Sequence, residues 1–233
     1  MEEVRLSVII AAFNEEASIG ATLDDLITHL PAGSEVLVVD GGNDRTGEVV
    51  ESYMDRLHGL RYIQHLGDRG KGHAIRTGIS EARGRVQAQF DADGQFLAED
   101  LPAVIAPIER GDCDLVLGSR FSVGSGKDED AAWTRNIGNW IVSGWASLLF
   151  GKRMTDVLAG VKAWTRQVGE QIELTSDTFE YEVEIPARAI QAGFRIREVP
   201  VATRARLDGE SKVSVFRTGM KVLTATARFR CSR

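Results

Sequence analysis

Cysteine is scarce in this chain of 233 residues, and its placement excludes a disulfide scaffold. Cys113 and Cys231 lie far apart and form no CxxC pair, which places the chain in a reducing compartment. The N-terminal stretch MEEVRLSVIIAAFNEE lacks a basic n-region, and its short apolar run passes straight into polar residues, so no signal peptide is read there. The largely apolar stretch Ile137–Phe150 is 14 residues long, short of the roughly 20 needed to cross a bilayer. There is no internal repeat and no low-complexity segment. Gly70-Lys71-Gly72 lacks the rest of a P-loop pattern. The four histidines, His29, His58, His65 and His73, show no catalytic spacing, and His65 and His73 read as structural or solvent-exposed.

What remains is ordinary globular material, 43% hydrophobic and 27% charged, enough for a sizeable core. The net charge of −6 is unevenly spread: residues 185–233 hold 11 Lys/Arg against 3 Asp/Glu. An acidic body with a basic tail suits a tail that meets phosphate, an acidic membrane surface or nucleic acid, and equally a solvated basic face.

Along the first half, short apolar runs alternate with stretches of helical periodicity. Strands are expected at Leu6–Ala12, Glu35–Val39, Arg61–Gln64, Val86–Phe90 and Asp114–Leu117. Helices are expected at Ala17–Leu30, Thr46–Leu57, Lys71–Arg83 and from Asp100-Leu101-Pro102 onward. This order predicts an α/β fold with a mostly parallel, doubly wound sheet, in which ligands bind at the carboxyl ends of the strands. Polar clusters fall at those ends: Asn14-Glu15, Asp40, Asp91–Gln95 and Ser119-Arg120. In the second half, Gly124–Asp130 reads as a mobile polar loop and Ile137–Phe150 as a core helix or one lying against lipid. Thr178–Ala192 reads as a helix, Arg195–Val201 as an edge strand and Val213–Phe229 as a basic amphipathic helix.

The strongest chemical signal is Asp91-Ala92-Asp93-Gly94-Gln95. Two carboxylates at i and i+2 just past an apolar strand can reach one divalent cation, and Gln95 could add a third oxygen. Such a cation bridges a diphosphate and neutralises a leaving group. An isolated DxD is equally an acidic surface turn; the position after the fourth strand favours the site. Asn14, Glu15 and Asp40 could accept hydrogen bonds from a base or ribose, although Glu15-Glu16 also suits a first helical turn. Gly70-Lys71-Gly72 opens a helix where phosphate could meet backbone N–H groups. Arg120 could pair with phosphate through its guanidinium fork. Arg206-Leu207-Asp208-Gly209-Glu210-Ser211-Lys212 sets two cations around a glycine turn that could fold over a diphosphate.

Taken together, AAFNEE, VVDGGNDRT, GKG, DADGQ, GSR, Arg135, EVPV and RLDGESK resemble the family-2 glycosyltransferases of the GT-A fold. Within them the chain is most similar to dolichol-phosphate mannose synthases and related polyprenyl-phosphate sugar transferases, from about Leu6 to Lys212. The resemblance implies a single Rossmann-like GT-A domain over residues 1–212, with 213–233 as a basic helical segment. It implies inverting transfer of a hexose, mannose or glucose, from a GDP- or UDP-sugar to a lipid phosphate, with no nucleic-acid partner. Ala11, Phe13, Glu15 and Val39 would line the nucleoside pocket, Asp91 and Ala92 would contact the nucleotide, and Asp93 and Gln95 would hold Mg²⁺ or Mn²⁺. Arg120, Arg206 and Lys212 would contact phosphates. Glu184 stands at a position that is acidic in such enzymes, and Glu184 or Asp156 could serve as base for a hydroxyl acceptor.

The chain departs from the family in carrying Ala11 and Phe13 where Pro and Tyr are common. It also has Asp40-Gly41 where two aspartates are usual, the second contacting the base, so the choice between GDP and UDP stays open. Many relatives carry membrane helices after the catalytic domain; none is read before Arg233, so a cytoplasmic protein, soluble or peripheral to the membrane, is expected. Three other readings stay open: a family-2 enzyme acting on a soluble or saccharide acceptor, a nucleotidyltransferase, and a non-catalytic nucleotide- or lipid-binding module.

Overall fold

The computed structural model describes residues 3–122, 133–204 and 215–231. The expected loop Gly124–Asp130, Arg135 as a side chain, and the cations Arg206 and Lys212 lie outside the described residues.

Seven strands form one sheet in the order β3-β2-β1-β4-β6-β5-β7. They are β1 (Leu6–Ala12), β2 (Ser34–Asp40), β3 (Leu60–Gln64), β4 (Val86–Gln89), β5 (Leu115–Ser119), β6 (Lys162–Thr165) and β7 (Ile196–Pro200). β6 runs antiparallel between β4 and β5; the other pairings are parallel. The helices are α1 (Ile19–His29), α2 (Thr46–Glu51), α3 (Lys71–Glu81), α4 (Leu101–Glu109), α5 (Trp133–Phe150), α6 (Arg166–Gln171), α7 (Tyr181–Gln191) and α8 (Val215–Cys231).

Strand alternation divides the core between the two faces of the sheet. Val8 and Ile10 of β1 pack with Leu23 and Leu26 of α1 and with Val104 and Ile105 of α4. Ile9, between them, faces the other layer, with Ile75 of α3, Trp164 of β6, Tyr181 and Ile185 of α7, and Val222 of α8. Leu6, Val8, Ile9 and Ile10 are all fully buried, which explains why β1 reads as a continuous apolar run.

Three elements differ from expectation. The helix expected over Thr46–Leu57 stops at Glu51; the Ser52 hydroxyl donates to the Val49 carbonyl, and short turns continue to Leu57. β6 and α6 were not foreseen. β6 is four residues long and opens on Lys162, a residue that speaks against a central strand until its partner is known. α8 does not stand apart from the sheet. Trp145 Nε1 of α5 donates to the Leu223 carbonyl at 3.2 Å, and Gln191 Nε2 of α7 donates to the Phe229 carbonyl at 2.6 Å. No helix among the described residues is long and apolar enough to cross a membrane.

Candidate active site

The carboxyl ends of β1, β2 and β4 meet on one edge of the sheet. The turns after β1 and β2 are locked together there. Asn14 adopts a left-handed backbone (φ 56°), which asparagine tolerates, and its Oδ1 accepts from the Asn43 N–H at 2.9 Å. The Glu15 N–H donates to Thr46 Oγ1 at 2.9 Å. In the turn after β4, Gly94 has φ 69° and Asp93 Oδ1 accepts from the Gln95 N–H at 3.1 Å, so glycine permits the reversal that presents both aspartates. Thr22 of α1 holds this turn from one side, donating to the Ala92 carbonyl at 3.0 Å. The segment after β7 holds it from the other, with Arg204 Nε donating to the Gly94 carbonyl at 2.7 Å.

Two cavities open on this turn. One, of about 530 Å³, is walled by Ala11, Phe13 and Glu15 after β1, by Asp68–Lys71 of the β3–α3 loop, and by Asp91–Asp93. The other, of about 210 Å³, runs under α5 and α8 and is lined by Gln95, Arg120, Asn139, Gly160, Glu182 and Thr218 among others. Lys71, Asp91, Asp93 and Phe179 belong to both, so the carboxylates stand where the two spaces join.

A buried ion network supports the junction. Lys71 Nζ lies 2.7 Å from Asp91 Oδ1 and 3.2 Å from Glu182 Oε1. Glu182 also pairs with Lys162, accepts from Tyr181 Oη at 2.5 Å, and accepts from Gln89 Nε2 at 3.1 Å. Burial would neutralise Glu182, but Lys162 and Lys71 outweigh it and hold its carboxyl below the usual range. Burial lowers the Lys71 ammonium, and Asp91 and Glu182 more than reverse this, so it stays charged. Asp91 is pushed up to about 6 by burial, with Lys71 opposing and Asp93 and Glu182 adding to the rise. Arg120 reaches the smaller cavity from the end of β5; its Nε and Nη2 form a two-pronged pair with Asp156 at 2.7 and 2.8 Å. That pairing fixes the plane of the guanidinium.

Asp91, Asp93 and Gln95 form a hard-oxygen donor set, two carboxylates and an amide, which suits Mg²⁺ or Mn²⁺. Burial is what raises Asp91, with the neighbouring Asp93 and Glu182 adding to it, and a divalent cation held there would favour its ionised form. Among the described residues a second cluster, His65, Asp68 and His73, brings ligand-type atoms within 4.8 Å of one another on the β3–α3 loop.

The geometry brings together Ala11, Phe13, Glu15, Asp91, Ala92, Asp93, Gln95 and Arg120. It does not bring in the side chains of three other expected residues. Val39 is fully buried in β2. Asp40 is buried and caps its own turn, accepting from the Gly42 N–H at 2.8 Å and from Tyr62 Oη at 3.1 Å. Glu184, fully buried, accepts from the N–H groups of Thr175 and Ser176 and pairs with Arg188, so it shapes the loop before α7. Asp156, the other candidate base, is committed to Arg120. The residues missed are Glu182, Lys162, Phe179, Gly160 and Asp68. Each arrives from a distant part of the chain, and a carboxylate two positions before Glu184 was the one available signal for Glu182.

Residues 7–162 match the family described as glycosyl transferase family 2. The chain belongs to glycosyl transferase family 2. It is 31% identical to a dolichyl-phosphate hexose transferase of Haloferax volcanii over 217 residues, covering 93% of this chain and 90% of that protein. It is 29% identical to an undecaprenyl-phosphate mannosyltransferase of Micrococcus luteus over 229 residues, covering 96% and 93%. Among solved structures, a glucosyl-3-phosphoglycerate synthase from Mycobacterium tuberculosis, in complex with Mn²⁺, UDP and glucosyl-3-phosphoglycerate, superposes with a TM-score of 0.77. That match has 17% identity and covers 98% of this chain and 81% of the other, which establishes the shared GT-A fold. This family-2 chain is therefore a glycosyltransferase with the mostly parallel sheet that its strand order predicts.

Proposed function

We propose that this family-2 enzyme transfers a hexose, mannose or glucose, from a nucleotide-sugar to a polyprenyl or dolichyl phosphate with inversion at the anomeric carbon. The observation that carries the proposal is the pair of cavities joined at Lys71, Asp91 and Asp93. The larger takes the nucleoside between the β1 end and the β3–α3 loop. The smaller takes the sugar and the acceptor phosphate beneath α5 and α8. The names of the two relatives, both acting on polyprenol-type phosphates, support the acceptor class.

In this reading Asp91, Asp93 and Gln95 hold Mg²⁺ or Mn²⁺, which when bound neutralises the departing diphosphate. Lys71 adds positive charge at the same junction. Arg120, its plane fixed by Asp156, orients the acceptor phosphate, and Arg206 and Lys212 supply further cations to donor or acceptor. A phosphate oxygen of the acceptor forms a bond to the anomeric carbon as the bond from that carbon to the β-phosphate oxygen breaks. The electron pair leaves with the nucleoside diphosphate. A phosphate monoester is ionised near neutral pH, so no proton need be removed. The commitment of Asp156 to Arg120 and of Glu184 to its own loop favours that acceptor over a sugar hydroxyl, which would require a free base.

The lipid end of the acceptor points to a membrane surface. α5 and α8 expose Trp140, Ile141, Leu148 and Met220, with Trp140 73% and Leu148 74% exposed. α8 also carries the basic residues Lys221, Arg228 and Arg230, of which Arg230 lines a cavity with Leu148 and donates to the Leu149 carbonyl at 3.0 Å. An apolar stripe with flanking cations fits peripheral docking on an anionic bilayer. The site itself is tested by calorimetric titration of GDP and UDP with Mn²⁺ and with chelator, on wild type and Asp93→Ala. Metal-dependent binding lost in the variant supports the assignment; binding indifferent to metal and to Asp93 rejects it.

A further inference from the structure

The end of β2 carries Gly41, and a Cβ added there would fall 2.5 Å from both Cβ and Cγ of Asp68 and 2.7 Å from its Oδ2. The Asp68 carboxylate, carried on the β3–α3 loop, thus fills the volume that a side chain at position 41 would need. It also forms part of the wall of the 530 Å³ cavity. It is held firmly: Oδ1 lies 3.1 Å from His65 Nδ1, and Oδ2 accepts from the Gly70 N–H at 3.1 Å. His65 is braced in turn, its Nε2 2.9 Å from Thr77 Oγ1 and its ring centroid 4.3 Å from that of His73.

Each carboxylate oxygen has about two lone-pair directions. His65 and Gly70 use one on each oxygen and His73 Nδ1 stands off at 3.9 Å from Oδ1, so each oxygen keeps a further acceptor direction. Of the other carboxylates lining this cavity, Asp91 and Asp93 are the proposed cation ligands and Glu15 accepts from Ser18 Oγ at 2.5 Å, so Asp68 is the carboxylate on the β3–α3 side. A paired acceptor complements two adjacent N–H donors. Guanine presents such an edge in N1–H and its exocyclic amino group. Uracil presents one N–H between two carbonyls, which a carboxylate repels.

We infer that Asp68 is a specificity-determining residue that reads the nucleobase, accepting the paired N–H groups of guanine and so selecting a guanosine diphosphate donor over a uridine one. The inference rests on the nucleotide-sugar reading of this cavity. His65 acts on it as a positioning residue through Asp68.

The test is calorimetric Kd measurement for GDP and UDP with Mn²⁺ on the full chain, comparing wild type, the near-isosteric Asp68→Asn, and the double variant Asp68→Gly with Gly41→Asp. Wild type is expected to prefer GDP. Asp68→Asn should weaken GDP by about tenfold to a hundredfold, the range for a charged hydrogen bond, and leave UDP unchanged or tighter. The double variant returns a carboxylate to the vacated volume from the β2 side and should recover part of the GDP preference. Equal affinities for wild type and Asp68→Asn, with binding still abolished in Asp93→Ala, would overturn the role of Asp68 and leave the nucleotide site standing. A wild-type preference for UDP would overturn the guanine assignment. Failure of wild type to bind either diphosphate with Mn²⁺ would overturn both this inference and the reading beneath it.

Discussion

Lys162 is fully buried at the start of a central strand, and its ammonium meets Glu182 and the Ala159 carbonyl. Removing one partner of such a pair strands the other charge in a low-dielectric interior. Lys162→Met should therefore cost about 3–5 kcal/mol in a urea unfolding curve. A loss below about 1 kcal/mol, typical of an exposed ion pair, would show that the network contributes little. Gly160 makes a different point. A Cβ there would lie 1.9 Å from Asp91 Oδ2, so the carboxylate keeps its place because residue 160 has no side chain. Gly160→Ala should displace Asp91 and lower kcat/KM by about a hundredfold, the usual consequence of a misplacement near 1 Å. An unchanged rate would mean that Asp91 is free to move without penalty. Residues of this kind were invisible in the sequence, since neither LAG nor VKAW announces what lies opposite. Asp91 and Asp93 were legible because their spacing is local and the strand before them is a plain apolar run.

Elements were legible in proportion to their length and periodicity. β1 was read with its observed ends, and α1 and α3 within a few residues, because buried parallel strands and amphipathic helices write long, regular patterns. β6 has four residues and a lysine, and nothing in its own composition offsets that charge. On α7 the cavity is lined by Glu182 and not by the expected Glu184. Glu182 and Glu184 are two positions apart, about 200° around a helix, so one faces the cavity and the other the loop before α7. Which is which depends on what α7 packs against. α5 shows the opposite case, a helix whose apolar residues exceed what its core face can bury. Val142 and Ala146 are buried, whereas Trp140 and Leu148 are largely exposed. The double variant Trp140→Glu with Leu148→Glu should lower sedimentation with anionic vesicles several-fold and leave the melting temperature almost unchanged, since neither side chain fills the core. Unaltered vesicle binding would separate this face from the membrane.

At the scale of the whole molecule, the sheet sorts tasks by position. In the parallel half, β3-β2-β1-β4, the turns after β1, β3 and β4 wall the larger cavity, and the mixed half, β6-β5-β7, carries Arg120 and the chain that returns to brace Gly94. α5 and α8 roof the smaller cavity and turn their exposed faces outward. One body thus offers two cavities, carboxylates and cations between them, and an apolar exterior on α5 and α8; the proposed function assigns the larger cavity to the nucleotide and the smaller to sugar and acceptor. If this exterior docks by apolar contact and charge together, vesicle binding should weaken as salt is raised but not vanish, because burial of apolar surface is not screened. Binding abolished by salt alone would assign the docking to α8 cations without the tryptophans.

The most direct measurement is transfer itself: purified protein with GDP-mannose or UDP-glucose, Mn²⁺ and a short-chain polyprenyl phosphate, with the lipid product and the released nucleotide followed by mass spectrometry and the anomeric configuration read by NMR. The expected result is a polyprenyl-phosphate hexose of inverted configuration, formed with one equivalent of nucleoside diphosphate and lost in Asp93→Ala. Hexose appearing on a soluble hydroxyl acceptor and never on the lipid phosphate would contradict it.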